Sequence, residues 1–315
     1  MKQFFRGAVR ITESDGFFTP HRFTEAQEAH YASISEGALI RARCSSSVSL
    51  AFTTSAGVIS FDYRADAFSR AFVGFDVYEN GILTRHFDEP DRSEAGHIVY
   101  ECRSKGKHEI EIYLSCLNEI SVGNADFGSD AQPLPAYRPK LLFIGDSITQ
   151  GMTAKCPSLV YPTLYARNCG AELLNHGVGG AKFDKTHLDD MPDFAPDHIF
   201  VAYGINDLNQ CGDNAALLEN AAQYLERLRQ LYPQVGRTVI TPIWNAKLAK
   251  EPEFADRFAH YSAELARIAG SFGCQAVDGL KLVPNDPRHL FDGTHPNEQG
   301  FGFYALGLLD GKNRV

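Results

Sequence analysis

Residue types needed for nucleophilic acyl chemistry occur in this chain at spacings that suit the task. Ser147 stands in Gly145-Asp146-Ser147-Ile148-Thr149-Gln150-Gly151. A serine hydroxyl is a weak nucleophile; it needs a base, and the base needs an orienting group. Both stand in Phe291-Asp292-Gly293-Thr294-His295-Pro296-Asn297. An Asp and a His three residues apart around a glycine turn can bond to each other with little chain entropy lost. Asp292 would hold one imidazole nitrogen, leaving the other to take the proton from Ser147. Pro296 disfavours a helix through His295, because a residue before proline avoids the α region.

Two further segments carry donors for a developing oxyanion. Asn206, in Gly204-Ile205-Asn206-Asp207, offers a side-chain N–H. Gly180, in Asn175-His176-Gly177-Val178-Gly179-Gly180, offers a backbone N–H where glycines let the chain approach a substrate closely. Candidate substrate contacts are Trp244, which is the single tryptophan, together with His176 and Asp146. For Trp244 the alternative is plain packing, and for His176 a structural hydrogen bond. Asp207 reads as a bracing carboxylate. Arg288 and His289, just before the Asp292 segment, are candidates for shaping the pocket.

Positioning these groups requires strands that end beside one another. Residues 140–145, 171–175, 198–203, 237–243 and 274–277 read as short apolar strands. Segments 158–168, 214–231, 253–271 and 298–309 read as helices between or after them. In 214–231, Leu217, Leu218, Ala221, Leu225, Leu228 and Leu231 share one face, and Asp213 is a plausible N-cap. This alternation implies a parallel sheet covered on both sides, with ligands beyond the carboxyl ends of its strands. Ser147, Gly180 and Asn206 each follow one of those strands.

The chain changes character near residue 133. Before it, period-two alternation marks strands at 48–52, 58–63, 71–78 and 109–114, and Glu79-Asn80-Gly81 reads as a hairpin turn. A jelly-roll-like β-sandwich is the expected architecture, with Phe72, Phe75 and Tyr78 in its core. Residues 133–139, with three prolines, read as an extended linker. The expected division is therefore a sandwich over 1–132, a linker over 133–139 and a three-layer α/β/α unit over 140–315.

With 315 residues, two domains are the natural expectation. A net charge of -9 argues against a nucleic-acid partner. No apolar run approaches a bilayer span. The start Met1-Lys2-Gln3-Phe4-Phe5-Arg6 is followed by no long apolar stretch, so a cytoplasmic location is expected. Seven scattered cysteines without a CxxC pair fit reduced thiols, with Cys156 and Cys211 among them. GxSxG, HExxH, GxGxxG and the P-loop pattern are all missing, and the chemistry above requires no metal and no organic cofactor.

Taken in order, the four segments resemble the blocks of the SGNH/GDSL hydrolase family: the GDS motif, the glycine block, GxND and DxxH. They span about the last 180 residues. The resemblance implies Ser147 as nucleophile, His295 as base, Asp292 as third triad member, and the Ser147 amide, Gly180 and Asn206 as oxyanion donors. The second block departs from the family's Ser-Gly pattern, reading Gly179-Gly180-Ala181 here. In the first half, Gly74-Phe75-Asp76-Val77-Tyr78 resembles the GxDLY signature of a sandwich that precedes some GDSL hydrolases. The whole is similar to carbohydrate esterase family 2. The implied activity is an O-acyl esterase, acting on an acetylated sugar or other small ester. Two alternatives stand beside it: an acyltransferase using the same acyl-enzyme, and a carbohydrate-binding protein.

Overall fold

The computed structural model describes residues 1–191, 193–209 and 213–311. Cys211 lies outside the described residues. The first part of the chain forms β1 (Phe5–Arg6), β2 (Arg10–Ser14), β3 (Phe17–His21), α1 (Glu25–Ile34), α2 (Glu36–Arg43), β4 (Ser49–Thr54), β5 (Val58–Phe68), β6 (Val73–Glu79), β7 (Ile82–Glu89), β8 (Ala95–Glu101), β9 (His108–Tyr113), β10 (Asn118–Asp126) and β11 (Gln132–Pro133). One antiparallel sheet runs β1-β4-β9-β6-β7, with β11 on β4, and the other runs β2-β3-β10-β5-β8. Alternation does the work expected of it. On β5, Ile59, Phe61, Tyr63 and Ala65 are buried between the sheets while the residues between them are not. Leu50, Phe52, Phe75, Val77, Ile110, Ile112 and Val122 complete that core. Asn80 and Gly81 both take positive φ, as the tight β6–β7 turn requires.

β6 is buried along its whole length. Its Val73, Phe75 and Val77 face the sandwich core. Asp76 and Tyr78 face the other way and bond Ser158, which corrects the expectation for Tyr78. The Arg167 guanidinium lies 3.5 Å over the Tyr78 ring. Phe72 also leaves the sandwich core and packs on the α/β side.

No helix was expected in the first part of the chain, and it has two, α1 and α2. α1 begins with a capping box of Thr24 and Gln27, and Ser35 caps α2. Arg22, preceding them, is fully buried. Its guanidinium donates to the carbonyls of Arg41, Ala42 and Cys44 at the end of α2, and to those of Asn175 and Gly177.

The second part forms β12 (Lys140–Gly145), α3 (Ser147–Gln150), α4 (Tyr161–Cys169), β13 (Glu172–Gly177), β14 (His198–Ala202), α5 (Ile205–Asn209), α6 (Asn214–Leu231), β15 (Gly236–Ile240), α7 (Pro252–Ser271), β16 (Gln275–Val277) and α8 (Glu298–Leu309). The parallel sheet runs β13-β12-β14-β15-β16. Leu142, Ile144, Ile199 and Val201 pack beneath α6 and α7 on one side. Leu141, Phe143, Phe200 and Ile240 pack with α4 and α8 on the other. This is a three-layer α/β/α arrangement preceded by an antiparallel β-sandwich.

Asp213 caps α6 by accepting from the Ala215 amide. The expected helix at 158–168 divides into a 3-10 turn, Pro157–Leu159, and α4. Pro162 suits the first turn of a helix and not its interior, so the helix starts beside it. Pro133 pairs with Phe52 of β4, and Arg6 donates to the Leu134 carbonyl, so the linker is held against the sandwich. Among the described residues, no helix is long and apolar enough to cross a membrane.

Candidate active site

β12 is the middle of three adjacent strands, with Gly145 level with Gly177 on β13 and Ala202 on β14. The chain turns sharply from β12 into α3. A Cβ on Gly145 would lie 2.0 Å from Thr149 Oγ1, so only glycine permits the turn. Asp146 caps α3, its carboxylate accepting from the Ile148 amide at 2.9 Å. Ser147 is the first helical residue, and its amide has no acceptor within its own helix.

The Asp292 segment forms a closed turn. The Phe291 amide donates to the His295 carbonyl at 2.7 Å, and Leu290 bridges Pro296. Asp292 Oδ1 accepts from the Thr294 and His295 amides. Asp292 Oδ2 lies 2.8 Å from His295 Nδ1, and His295 Nε2 lies 2.7 Å from Ser147 Oγ. With Nδ1–H committed to the carboxylate, Nε2 is the nitrogen free to accept the serine proton. Burial works to raise the Asp292 carboxyl. Bonds from the His295 amide and ring, the His295 charge and the Thr294 amide outweigh it, and the group sits below the usual carboxylate range.

The two other expected segments converge on the same strand ends. Asn206 Nδ2 donates to the Ala181 carbonyl at 3.0 Å, which joins the Asn206 segment to the glycine block. An amide nitrogen carries two hydrogens, so one remains for a ligand. Gly180 is exposed with φ near +83°, and the preceding Gly179 amide donates to Gln150 Oε1 at 2.8 Å. Gly204 takes φ near +129°, and a Cβ there would lie 2.8 Å from the Pro242 ring. Ser147 at the start of α3, Gly180 in the turn after β13 and Asn206 in α5 thus all follow the carboxyl ends of three adjacent strands.

Three expected substrate contacts are corrected or narrowed. His176 is buried, bonds the Arg22 carbonyl at 2.7 Å and stacks on Phe23. Burial pushes its pKa down to about 3, so it is a neutral packing residue out of reach of a ligand. Asp146 is also buried, and its role is the α3 cap. Burial, with the Asp207 charge adding and the Ile148 bond opposing, pushes its carboxyl up to about 7. Trp244 is 9 % exposed, in the loop whose Ala246 amide donates to the Gly293 carbonyl at 2.8 Å. Arg288 pairs with Asp286 in solvent, and His289 packs edge-on against Phe303. Asp207 is buried, accepts weakly from the Phe183 amide at 3.4 Å, and is pushed by burial up to about 6.

Sequence reasoning missed two supports of the site. Arg41, from α2, donates to the Gly179 carbonyl at 3.2 Å. Thr153 donates to the Pro296 carbonyl at 2.7 Å, bracing the residue after His295. A cavity of about 290 Å³ lined by Arg6, Glu111, Tyr137, Arg167 and Glu172 lies at the opposite, amino-terminal end of β13 and holds none of the triad.

A family model described as the GDSL-like lipase/acylhydrolase family matches residues 143–302. No curated protein matches the sequence. Among solved structures, the fold is similar to the salicylyl-acyltransferase SsfX3 from a tetracycline biosynthetic pathway. The TM-score is 0.80 at 19% identity, over 96% of this chain and 92% of that one. A protein from Bacteroides ovatus described as a GDSL-like lipase gives 0.78 at 20% identity, over 98% and 94%. A family two carbohydrate esterase from Clostridium thermocellum, in complex with cellohexaose, gives 0.67 at 15% identity, over 97% of each chain. At these identities the likeness is one of fold.

Proposed function

The chain belongs to the GDSL-like lipase/acylhydrolase family, and from that premise we propose that it is a serine esterase removing a short acyl group, acetyl foremost, from a hydroxyl of a carbohydrate or glycoside. The observation that carries this reading is the continuous path of bonds from Asp292 through His295 to Ser147 Oγ. As Oγ attacks the ester carbonyl, His295 Nε2 takes its proton, and Asp292 stabilises the imidazolium. The Ser147 amide, the Gly180 amide and Asn206 Nδ2 hold the oxyanion. The bond to the alcohol then breaks, and His295 returns the proton to the leaving oxygen. Water attacks the acyl-Ser147 carbonyl, again through His295, and releases the carboxylic acid.

Ser147 is only 7 % exposed, which favours a small acyl group. The cellohexaose in the Clostridium thermocellum neighbour supports a sugar as the alcohol. Residues 1–132 are assigned as an accessory sandwich, joined through 133–139 to a hydrolase unit over 140–315. The Phe72 ring meets Phe291 at 6.4 Å, so this accessory part borders the triad turn.

The test is hydrolysis of a short aryl acetate, followed by panels of acyl length and acetylated sugars. Ser147→Ala is expected to lose roughly 10⁴-fold or more in turnover while melting like the parent. Undiminished turnover in that variant would sink the mechanism. The name of SsfX3 favours a second reading, in which a hydroxyl acceptor intercepts the same acyl-enzyme. Product analysis with a competing acceptor separates the two.

A further inference from the structure

A second group of side chains with nucleophile, charge-partner and orienter chemistry lies where the sandwich meets the α/β layers. Asp76 projects from β6 away from the sandwich core and is fully buried. Its Oδ2 accepts from the Ser158 amide at 2.8 Å and from Ser158 Oγ at 2.6 Å. Its Oδ1 lies 2.7 Å from Nδ1 of His86, the residue directly opposite it on β7. Cys156, in the loop between α3 and α4, completes the group: one donor atom from each of the three residues lies within 4.8 Å of the other two. His86 and Cys156 are both partly exposed, so solutes reach them.

Asp76 has both oxygens engaged, and this fixes the ring. Nδ1–H donates to Oδ1, which sets the ring in place beside Cys156. The bond to Asp76, then the bond with Cys156, holds the His86 pKa up at about 10 against the effect of burial. A strongly basic, oriented imidazole beside a sulfhydryl is the arrangement that makes a thiol nucleophilic. The other described thiols lack it. Burial pushes Cys44 up to about 12 and Cys102 up to about 11. It raises Cys116, Cys274 and the exposed Cys169 as well.

We propose that Cys156, with the His86 imidazolium as its charge partner and Asp76 as the orienter, is a reactive thiol and a site of covalent modification by small disulfides and soft electrophiles, chemically separate from Ser147. With a low-molecular-weight disulfide, the Cys156 sulfur attacks one sulfur of the reagent as a thiolate whose charge the His86 imidazolium holds. A new S–S bond forms, the reagent's S–S bond breaks, and the departing thiolate takes the proton from the imidazolium. One disulfide is exchanged for another, so no further oxidant is needed.

The test uses the intact protein, substoichiometric iodoacetamide at pH 7 and, in parallel, glutathione disulfide, with modified peptides mapped by mass spectrometry over time. Ranking by exposure alone would put Cys169 ahead of Cys156. The proposal expects Cys156 to be labelled first, at least tenfold faster than Cys169, and equally fast in Ser147→Ala. His86→Gln is expected to slow Cys156 at least tenfold and leave Cys169 unchanged. The proposal is overturned if Cys169, Cys211 or any other thiol in the parent outruns Cys156, or if a folded His86→Gln labels Cys156 at the parent rate. The ranking in the parent decides the matter even if that variant fails to fold.

Discussion

Replacing Asp146 by Asn tests the electrostatics under the nucleophile. The carboxyl is buried and moved from an ordinary value of 3.8 to about 7. In the unfolded chain it ionises near pH 4, whereas the folded chain holds the proton until about pH 7. Between those limits the unfolded state has the lower proton affinity and gives the proton up first. Stability from this group is therefore fully present below pH 4 and is lost as pH rises through 7. At about 1.36 kcal/mol per pH unit the loss is roughly 4 kcal/mol. Asn is neutral throughout and is as good an N-cap as Asp. Asp146→Asn should match the parent at pH 4 and exceed it by up to roughly 4 kcal/mol at pH 8. At about 2.1 cal/mol/K per residue, that corresponds to a rise in Tm of roughly 6 °C for this chain length. The assay is paired calorimetry of both proteins at unit steps from pH 4 to pH 8. A Tm difference that does not change with pH would refute the argument, because Asp146 would then have the same protonation state in the folded and unfolded chains.

Asp292→Asn keeps an oxygen for the Thr294 and His295 amides but sets an NH₂ against His295 Nδ1. The ring must then carry its proton on Nε2, facing Ser147, so kcat should fall about 10³- to 10⁴-fold with little change in Tm. A loss under tenfold in aryl acetate hydrolysis would mean that another group orients the imidazole. Arg22→Leu leaves five carbonyls, four of them in buried bonds, without this donor and should cost about 3–5 kcal/mol in denaturant unfolding. A cost under 1 kcal/mol would show that the guanidinium is not what holds α2 to β13.

The candidate site was legible because its parts are short, local signals at strand ends. Gly145-Asp146-Ser147 and Asp292-Gly293-Thr294-His295 each declare a turn and a chemistry within a few residues. The long helix α6 was legible because its leucines keep one face over five turns. α1 and α2 were not, for the opposite reason. Each is short, and α1 buries Gln27 and Glu28 beside Tyr31, so no apolar stripe marks it. His176 takes the structural of its two readings: its neighbourhood in sequence is the glycine block, while its side chain turns from that block toward Arg22 and Phe23. Asp76 carries a local signature, but its partners lie 10 and 82 residues away, at His86 and Ser158. Nothing in the spacing of those residues announces that they meet.

The same bonds tie the sandwich to the loops around Ser147. Arg22 and Arg41 reach from the first part of the chain to Gly177 and Gly179, on the oxyanion side of Ser147. Ser46 donates to the Gln150 carbonyl, at the end of the nucleophile's own helix. On the other side, Asp76 grips Ser158, in the loop region that also sends Thr153 to the Pro296 carbonyl behind His295. Both loops that flank the nucleophile are therefore braced from the sandwich, and a catalytic geometry depends on such supporting bonds as much as on the triad itself. A separable sugar-binding module would meet the hydrolase part through a small, polar and replaceable contact. Here the contact includes a fully buried guanidinium, a fully buried carboxylate and a strand buried on both faces. Such a contact supports reading the sandwich as a support for the proposed active site. The two parts also meet at the rim, where the Phe72 ring lies edge-on to Phe291 beside the Asp292 turn.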